Sequence, residues 1–162
     1  MSPERTIQKG GKVALSLSKI LIHLVFSTKN REPWISKEIQ QNLYAYLSGT
    51  CRTLGSECYR VGGYFDHIHM ALILPRTLSM SELVSKLKSS SSKWMNENGQ
   101  YDGKFSWQAG YGAFSLGFSQ LDSLLKYIDN QEEHHLLRSF EEELIYFFHK
   151  YKVDYDEKYI WE

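Results

Sequence analysis

The sequence predicts an α+β domain of the ferredoxin-like, split βαβ kind: an antiparallel sheet with helices on one face, followed by a C-terminal helix. Two observations carry the prediction. Apolar residues switch between strand and helix periodicity in the order β-α-β-β-α-β before further helices follow. Glycine, proline or Asn-Gly marks most of the boundaries between these stretches. A length of 162 residues suits one domain with its own core, drawn here as 19–162, with Met1 to Ser18 an extension of no assigned role.

The elements follow in order. Lys19 to Ser27 is dense in apolar and β-branched residues and stops before Thr28–Arg31 and Pro33, which makes it the first strand. With Ser36 as N-cap, Ile39, Leu43, Tyr46, Leu47 and Leu54 share one helical face until Gly55 ends it. Cys58–Val61 and Asp66–Leu74 read as two strands of a hairpin joined at Gly62–Gly63 and closed by Pro75. A second helix runs from Ser79 to Asn96, buries Leu83, Leu87 and Trp94, is weakened at serines 89 to 92, and stops at Asn98–Gly99. Phe105 to Phe114 alternates as a fourth strand, with Gly110 and Gly112 marking a bulge or close approach. Helix patterns return over Ser119–Glu133 and Ser139–Tyr151, and Val153 to Trp161 is an aromatic and acidic tail.

Hydrophobic residues at 42% and charged residues at 23% exclude a disordered or fibrous chain. A net charge of zero argues against a protein that coats duplex DNA through bulk electrostatics. It leaves room for a local basic groove with aromatic platforms, since aromatics reach 14%. The longest apolar run, Ile20 to Phe26, is broken by His23 and too short to span a bilayer, so no membrane association is expected. Glu4, Lys9 and Lys12 interrupt the first residues, which lack a cleavable leader pattern, so a cytoplasmic protein with reduced Cys51 and Cys58 is expected.

Chemistry concentrates at His67 and His69. Two apart on a strand, they point to one face with Ala71, while Ile68, Met70, Leu72 and Leu74 take the other. Such a pair can supply neighbouring ligands to one metal ion, or can be an ordinary hydrogen-bonded pair; spacing alone leaves both open. The helix expected over that face has the stripe Leu121, Leu124, Leu125 and Ile128. Tyr127 and Gln131, one turn apart, fall at its edge, where a phenol is held yet reachable and an amide oxygen can serve as a ligand; position alone equally allows a half-buried packing tyrosine and a solvated glutamine. His134 and His135 are adjacent and so about 100° apart on a helix, which lets at most one reach a shared ion. His23 reads as a buried, hydrogen-bonded imidazole and His149 as a surface residue. Lys86, Lys88, Lys93 and Trp94 on the second helix are candidate DNA contacts, or a solvated lysine face.

These residues stand in a recognisable order. His67–Ile68–His69 after Gly62–Asp66, the opening His23–Lys29, Trp107–Ser115, Tyr127–His135, and Ser139–Glu143 with Tyr155–Glu157 and Trp161 together resemble the single-tyrosine HUH transposases of small bacterial insertion sequences. The resemblance covers roughly residues 20 to 161. It implies His67, His69 and Gln131 as ligands of Mg²⁺ or Mn²⁺ and Tyr127 as the nucleophile. It also implies cleavage and rejoining of single-stranded DNA with subterminal hairpins through a 5′-phosphotyrosine, without ATP. Its members work as homodimers with active sites shared between subunits, and Gly117 would be a linker glycine in such an exchange. Two alternatives stay open: a domesticated relative that processes chromosomal palindromes, and a non-catalytic single-stranded-DNA-binding relative.

Overall fold

The computed structural model describes residues 16–156. The expected extension therefore lies outside the described residues except for 16–18, as do Glu157 and Trp161 of the tail. Strands β1 (Leu21–Ser27), β2 (Cys58–Gly63), β3 (His67–Ile73) and β4 (Gly112–Leu116) form one sheet in the order β2-β3-β1-β4, with every neighbouring pair antiparallel. Every residue of β1 and β3 is buried. A strand buried on both faces requires cover on both sides of the sheet, and helices supply it.

On one face Ile22, Leu24, Phe26, Ile68, Met70 and Leu72 pack under α1 (Lys37–Thr53) and α2 (Met80–Asn98), which contribute Leu43, Leu47, Leu83 and Leu87. This is the main core. Ser79 starts α2 with a full capping box: its hydroxyl accepts from the Glu82 amide at 3.1 Å, and the Glu82 carboxylate accepts from the Ser79 amide at 3.1 Å. The serines of α2 do not interrupt it, because their hydroxyls donate back to carbonyls one turn earlier, as Ser90 does to Lys86 and Ser91 to Leu87.

Three further helices cover the histidine face, so the helices are not confined to one side. They are α3 (Leu121–Asp129), α4 (Gln131–Leu137) and α5 (Phe140–Lys150). Leu124 and Ile128 of α3 pack on Ala71, and Phe140 and Phe147 of α5 pack on Val25 and Phe114. None of the described helices is long and apolar enough to cross a membrane.

The structure corrects three boundaries. The paired glycines do not form the hairpin turn but close β2, and the chain turns after them through Tyr64–Asp66. Their smallness serves a close approach: a Cβ on Gly62 would lie 2.6 Å from the Ile128 side chain and 2.8 Å from its carbonyl oxygen. Phe105 to Tyr111 is not a strand: Trp107 meets Thr28 in an isolated antiparallel bridge just past the end of β1, and no ladder extends from it. The Phe105 amide donates to the Asn96 side chain at 2.9 Å, the Gln108 amide donates to Ser27 O, and Gly110 at φ +87° turns the chain before β4 begins. Finally, the helix expected over Ser119–Glu133 breaks at Asn130, whose φ −99° and ψ 25° end α3 and begin α4.

Gly62→Ala is expected to destabilise the protein by about 1–3 kcal/mol, since Ile128 and the α3 backbone must move to admit one methyl. Gly49→Ala, inside α1 with nothing within 4 Å of the added carbon, should be neutral or stabilising. Thermal unfolding of the two variants checks the contrast.

Candidate metal and nucleophile site

Strand register sets the site. Val25 lies opposite His69, His23 opposite Ala71, and Ser27 opposite His67, so the three histidines of β1 and β3 share the face beneath α3, α4 and α5. All three are fully buried. A buried imidazole must be hydrogen-bonded, and each ring of the His-x-His pair is fixed through its Nδ1. His67 Nδ1 donates to Asp66 Oδ1 at 2.7 Å. His69 Nδ1 shares a 2.8 Å hydrogen bond with His23 Nε2. Both rings are therefore turned so that Nε2 faces the same point, the arrangement that second partners impose on metal-binding histidines.

What meets them there comes from three helices. Gln131, the first residue of α4, places Oε1 at 2.9 Å from His67 Nε2. His135, one turn later on the same helix, reaches Gln131 Oε1 at 3.1 Å. Glu143 of α5, fully buried, brings Oε1 to 2.8 Å from His69 Nε2 and 3.4 Å from His67 Nε2, and Oε2 to 3.4 Å from His135 Nε2. The Tyr127 hydroxyl of α3 donates to Glu143 Oε2. The break at Asn130 has a purpose in this geometry: it lets α4 turn Gln131 and His135 inward while Tyr127 stays on α3.

Electrostatics follow from these contacts. Burial by itself would raise the Glu143 carboxyl, but His69, His135 and His67 around it hold it well below the usual carboxylate range. Burial lowers His67, yet its bonds to Asp66 and Glu143 outweigh that and push it up to about 9. Burial prevails at His69, which is lowered despite Glu143, and at His23, which falls well below the ordinary imidazole value. The Tyr127 phenol is pushed far up, first by burial and then by the Glu143 carboxylate, so it stays protonated in this arrangement.

The donor set fits a cation. Ligand atoms of His67, His135 and Glu143 lie within 4.8 Å of one another. His69 Nε2 and Gln131 Oε1 adjoin the same carboxylate and imidazole atoms. Imidazole nitrogens with a carboxylate and an amide oxygen suit a divalent ion. The buried Glu143 carboxylate supplies the negative charge that a cation would need there.

The structure thus brings together His67, His69, Tyr127 and Gln131 as the sequence suggested. It adds Glu143, His135, His23 and Asp66. Of the adjacent histidines only His135 reaches the cluster; the His134 ring stacks on Tyr127 at 4.4 Å. Glu143 had a signal in the sequence, because of the three consecutive glutamates 141 to 143 it alone shares the helical phase of Phe140 and Phe147. The candidate DNA contacts lie on α2. Lys86 and Lys93 are exposed, Lys88 donates to the Gln108 and Gly110 carbonyls, and Trp94 stacks on Tyr46 at 5.2 Å. Gly117 has an ordinary φ of −76° that any residue adopts.

A family model described as "Transposase IS200 like" matches residues 16–131. Among solved structures, a protein of Deinococcus radiodurans R1 described as a candidate transposase aligns with a TM-score of 0.58 and 22% identity, over 77% of this chain and 98% of that one. A REP-associated tyrosine transposase bound to a REP hairpin aligns with a TM-score of 0.56 and 14% identity, over 78% of this chain and 74% of that one. These two likenesses are likenesses of fold. No curated protein matches the chain. The family match ends at Gln131, so His135 and Glu143 lie beyond it.

Mn²⁺ titrated calorimetrically into the full-length protein should bind at this cluster. His67→Ala is expected to abolish binding, and Glu143→Gln to weaken it. Replacing His23 by Phe, which removes only the partner of His69 Nδ1, should weaken binding by about 10–100-fold. Unchanged affinity in His23→Phe would show that the histidine orients nothing.

Proposed function

This chain belongs to the transposase IS200-like family, and we propose on that premise that it is a metal-dependent tyrosine transposase. In this reading it cleaves and rejoins single-stranded DNA at the ends of a mobile element. One observation carries the reading: the Tyr127 phenol and the Nε2 atoms of His67 and His69 meet around a single buried carboxylate, to which the Gln131 amide nitrogen donates while its oxygen stays against His67 Nε2. We read the sheet order as that of a ferredoxin-like split βαβ, which presents the His-x-His strand at the centre of the domain.

Tyr127 would attack the scissile phosphorus. The Tyr127 O–P bond forms as the P–O3′ bond breaks, leaving a 5′-phosphotyrosine and a free 3′-hydroxyl. A later attack by a 3′-hydroxyl on that linkage rejoins DNA without ATP, because the phosphodiester energy is kept in the phosphotyrosine. The phenol must give up its proton during attack, and Glu143 Oε2, already its hydrogen-bond acceptor, is the base the geometry offers. Mg²⁺ or Mn²⁺ held by His67, His69 and Gln131, with His135 and Glu143 as further donors, would supply positive charge against a non-bridging phosphate oxygen. The imidazole-rich set favours Mn²⁺, since Mg²⁺ prefers oxygen.

The substrate we propose is a single strand with a subterminal hairpin, which exposes its phosphates without prior melting. A fold neighbour seen bound to a hairpin supports this choice. The homodimer with shared sites implied by the sequence resemblance is also part of the proposal, although Tyr127 here already shares the Glu143 carboxylate with His69 of its own chain.

Single-stranded oligonucleotides tiling the DNA on each side of the coding sequence, incubated with Mn²⁺, should give a denaturation-resistant protein–DNA adduct. Tyr127→Phe should give none, chelation should remove it, and His67→Ala should slow its formation by about two orders of magnitude or more. Absence of any adduct with the wild-type protein would sink the catalytic reading. Mixing Tyr127→Phe with His67→Ala protein should recover cleavage if sites are shared; no recovery means each chain works alone.

A further inference from the structure

Helix α5 does more than supply Glu143. With α3 it walls a groove of about 260 Å³, floored by Leu116 at the end of β4, near the lower end of ligand-sized pockets. Ser123 and Tyr127 line it from α3, and Tyr146 and Lys150 from α5, each pair one turn apart, with Gln120 and Tyr151 at its ends. One wall is therefore the ring of the proposed nucleophile itself.

The lining has the chemistry of a nucleotide. Tyr146 is 45% exposed, so much of its ring is open to a stacking partner. Cations flank the rings: Arg138 lies over Tyr146 at 5.1 Å from its centroid, and Lys150 over Tyr151 at 5.5 Å. Ser123 and Gln120 add neutral hydrogen-bonding groups. Aromatic faces, cations and small polar groups together are what a single-stranded nucleic acid requires, and a phosphate-linked unit in this groove would run directly past Tyr127.

We propose that the α3–α5 groove is a nucleotide-binding subsite that seats the nucleotide beside the scissile phosphate, its base against Tyr146 and its backbone phosphate on Lys150. The proposal rests on the reading of Tyr127 as a DNA-cleaving nucleophile, and it assigns to residues beyond the family match a part in holding the strand.

The test uses full-length Tyr127→Phe protein, which cannot form the adduct, and the tiled single-stranded oligonucleotides carrying 2-aminopurine at successive positions. One position should be quenched on binding. In that background Tyr146→Ala should abolish the quench and raise Kd about tenfold. Lys150→Gln should weaken binding and lower the salt slope by about one, and Ser123→Trp, which fills the groove, should block it. In the Tyr127 protein the same changes should raise KM for adduct formation more than they lower kcat. Melting temperatures of these surface variants identify any that fail to fold, and Tyr146→Phe, which keeps the ring, should restore binding. If the wild type forms the adduct and Tyr146→Ala and Lys150→Gln leave KM and Kd unchanged, the subsite is refuted and the transposase reading stands. If quenching maps to the groove but no adduct ever forms, the subsite stands and catalysis fails.

Discussion

Glu143 is a carboxylate with no exposed surface, and the second half of the structure is arranged around that fact. Moving an ionised carboxylate out of water costs several kcal/mol unless opposite charge and hydrogen bonds replace the solvent. Here His69, His67, His135 and the Tyr127 hydroxyl replace it. No local segment could assemble these partners. They come from β3, α4 and α3 while the carboxylate comes from α5, so the charge is tolerable only when all four elements are in place.

That dependence couples two chemistries. One oxygen of Glu143 faces the paired histidines and the other faces the phenol, so a change at the histidines is felt at Tyr127 through a single side chain. The histidines are themselves held from behind by Asp66 and His23, which settle the direction of each Nε2 before any ligand arrives. The phenol, raised by burial and by the carboxylate, is quiet in this arrangement. In the proposed reaction, substrate and cation must together relieve that hold.

The apolar scaffold makes such precision possible. The face under α1 and α2 is a conventional core, with Leu24, Met70 and Leu72 fully buried, and it fixes β1 and β3 rigidly. The opposite face is a mixed layer in which Phe140, Phe147 and Phe114 surround the polar cluster and keep water from it. Gly62 lets α3 lie directly on β2, which brings Tyr127 within reach. Lys88, a basic residue with a ready reading as a DNA contact, is instead half-buried and hydrogen-bonded to the loop before β4, and burial lowers it to about 8.

Periodicity alone determined the element order, the two faces of His67–Ile68–His69 and the burial of Leu83, Leu87 and Ile128, because strand alternation and helical spacing are local properties of the chain. The pairing of Tyr127 with Gln131 was legible for the same reason, one turn apart on what looked like a single helix. The resemblance of the ordered motifs pointed to the family that the match to residues 16–131 establishes. Tertiary structure decided the rest. The aromatic stretch from Phe105 is tied to Asn96 at its start and meets the sheet through an isolated Thr28–Trp107 bridge, which no periodicity reveals. Asn130 broke the helix so that His135 could join Gln131, and His23 acquired its role only through the register that sets β1 beside β3. Glu143 lies 74 residues from His69 in sequence, and only the packing of α5 on the sheet makes it the centre of the site.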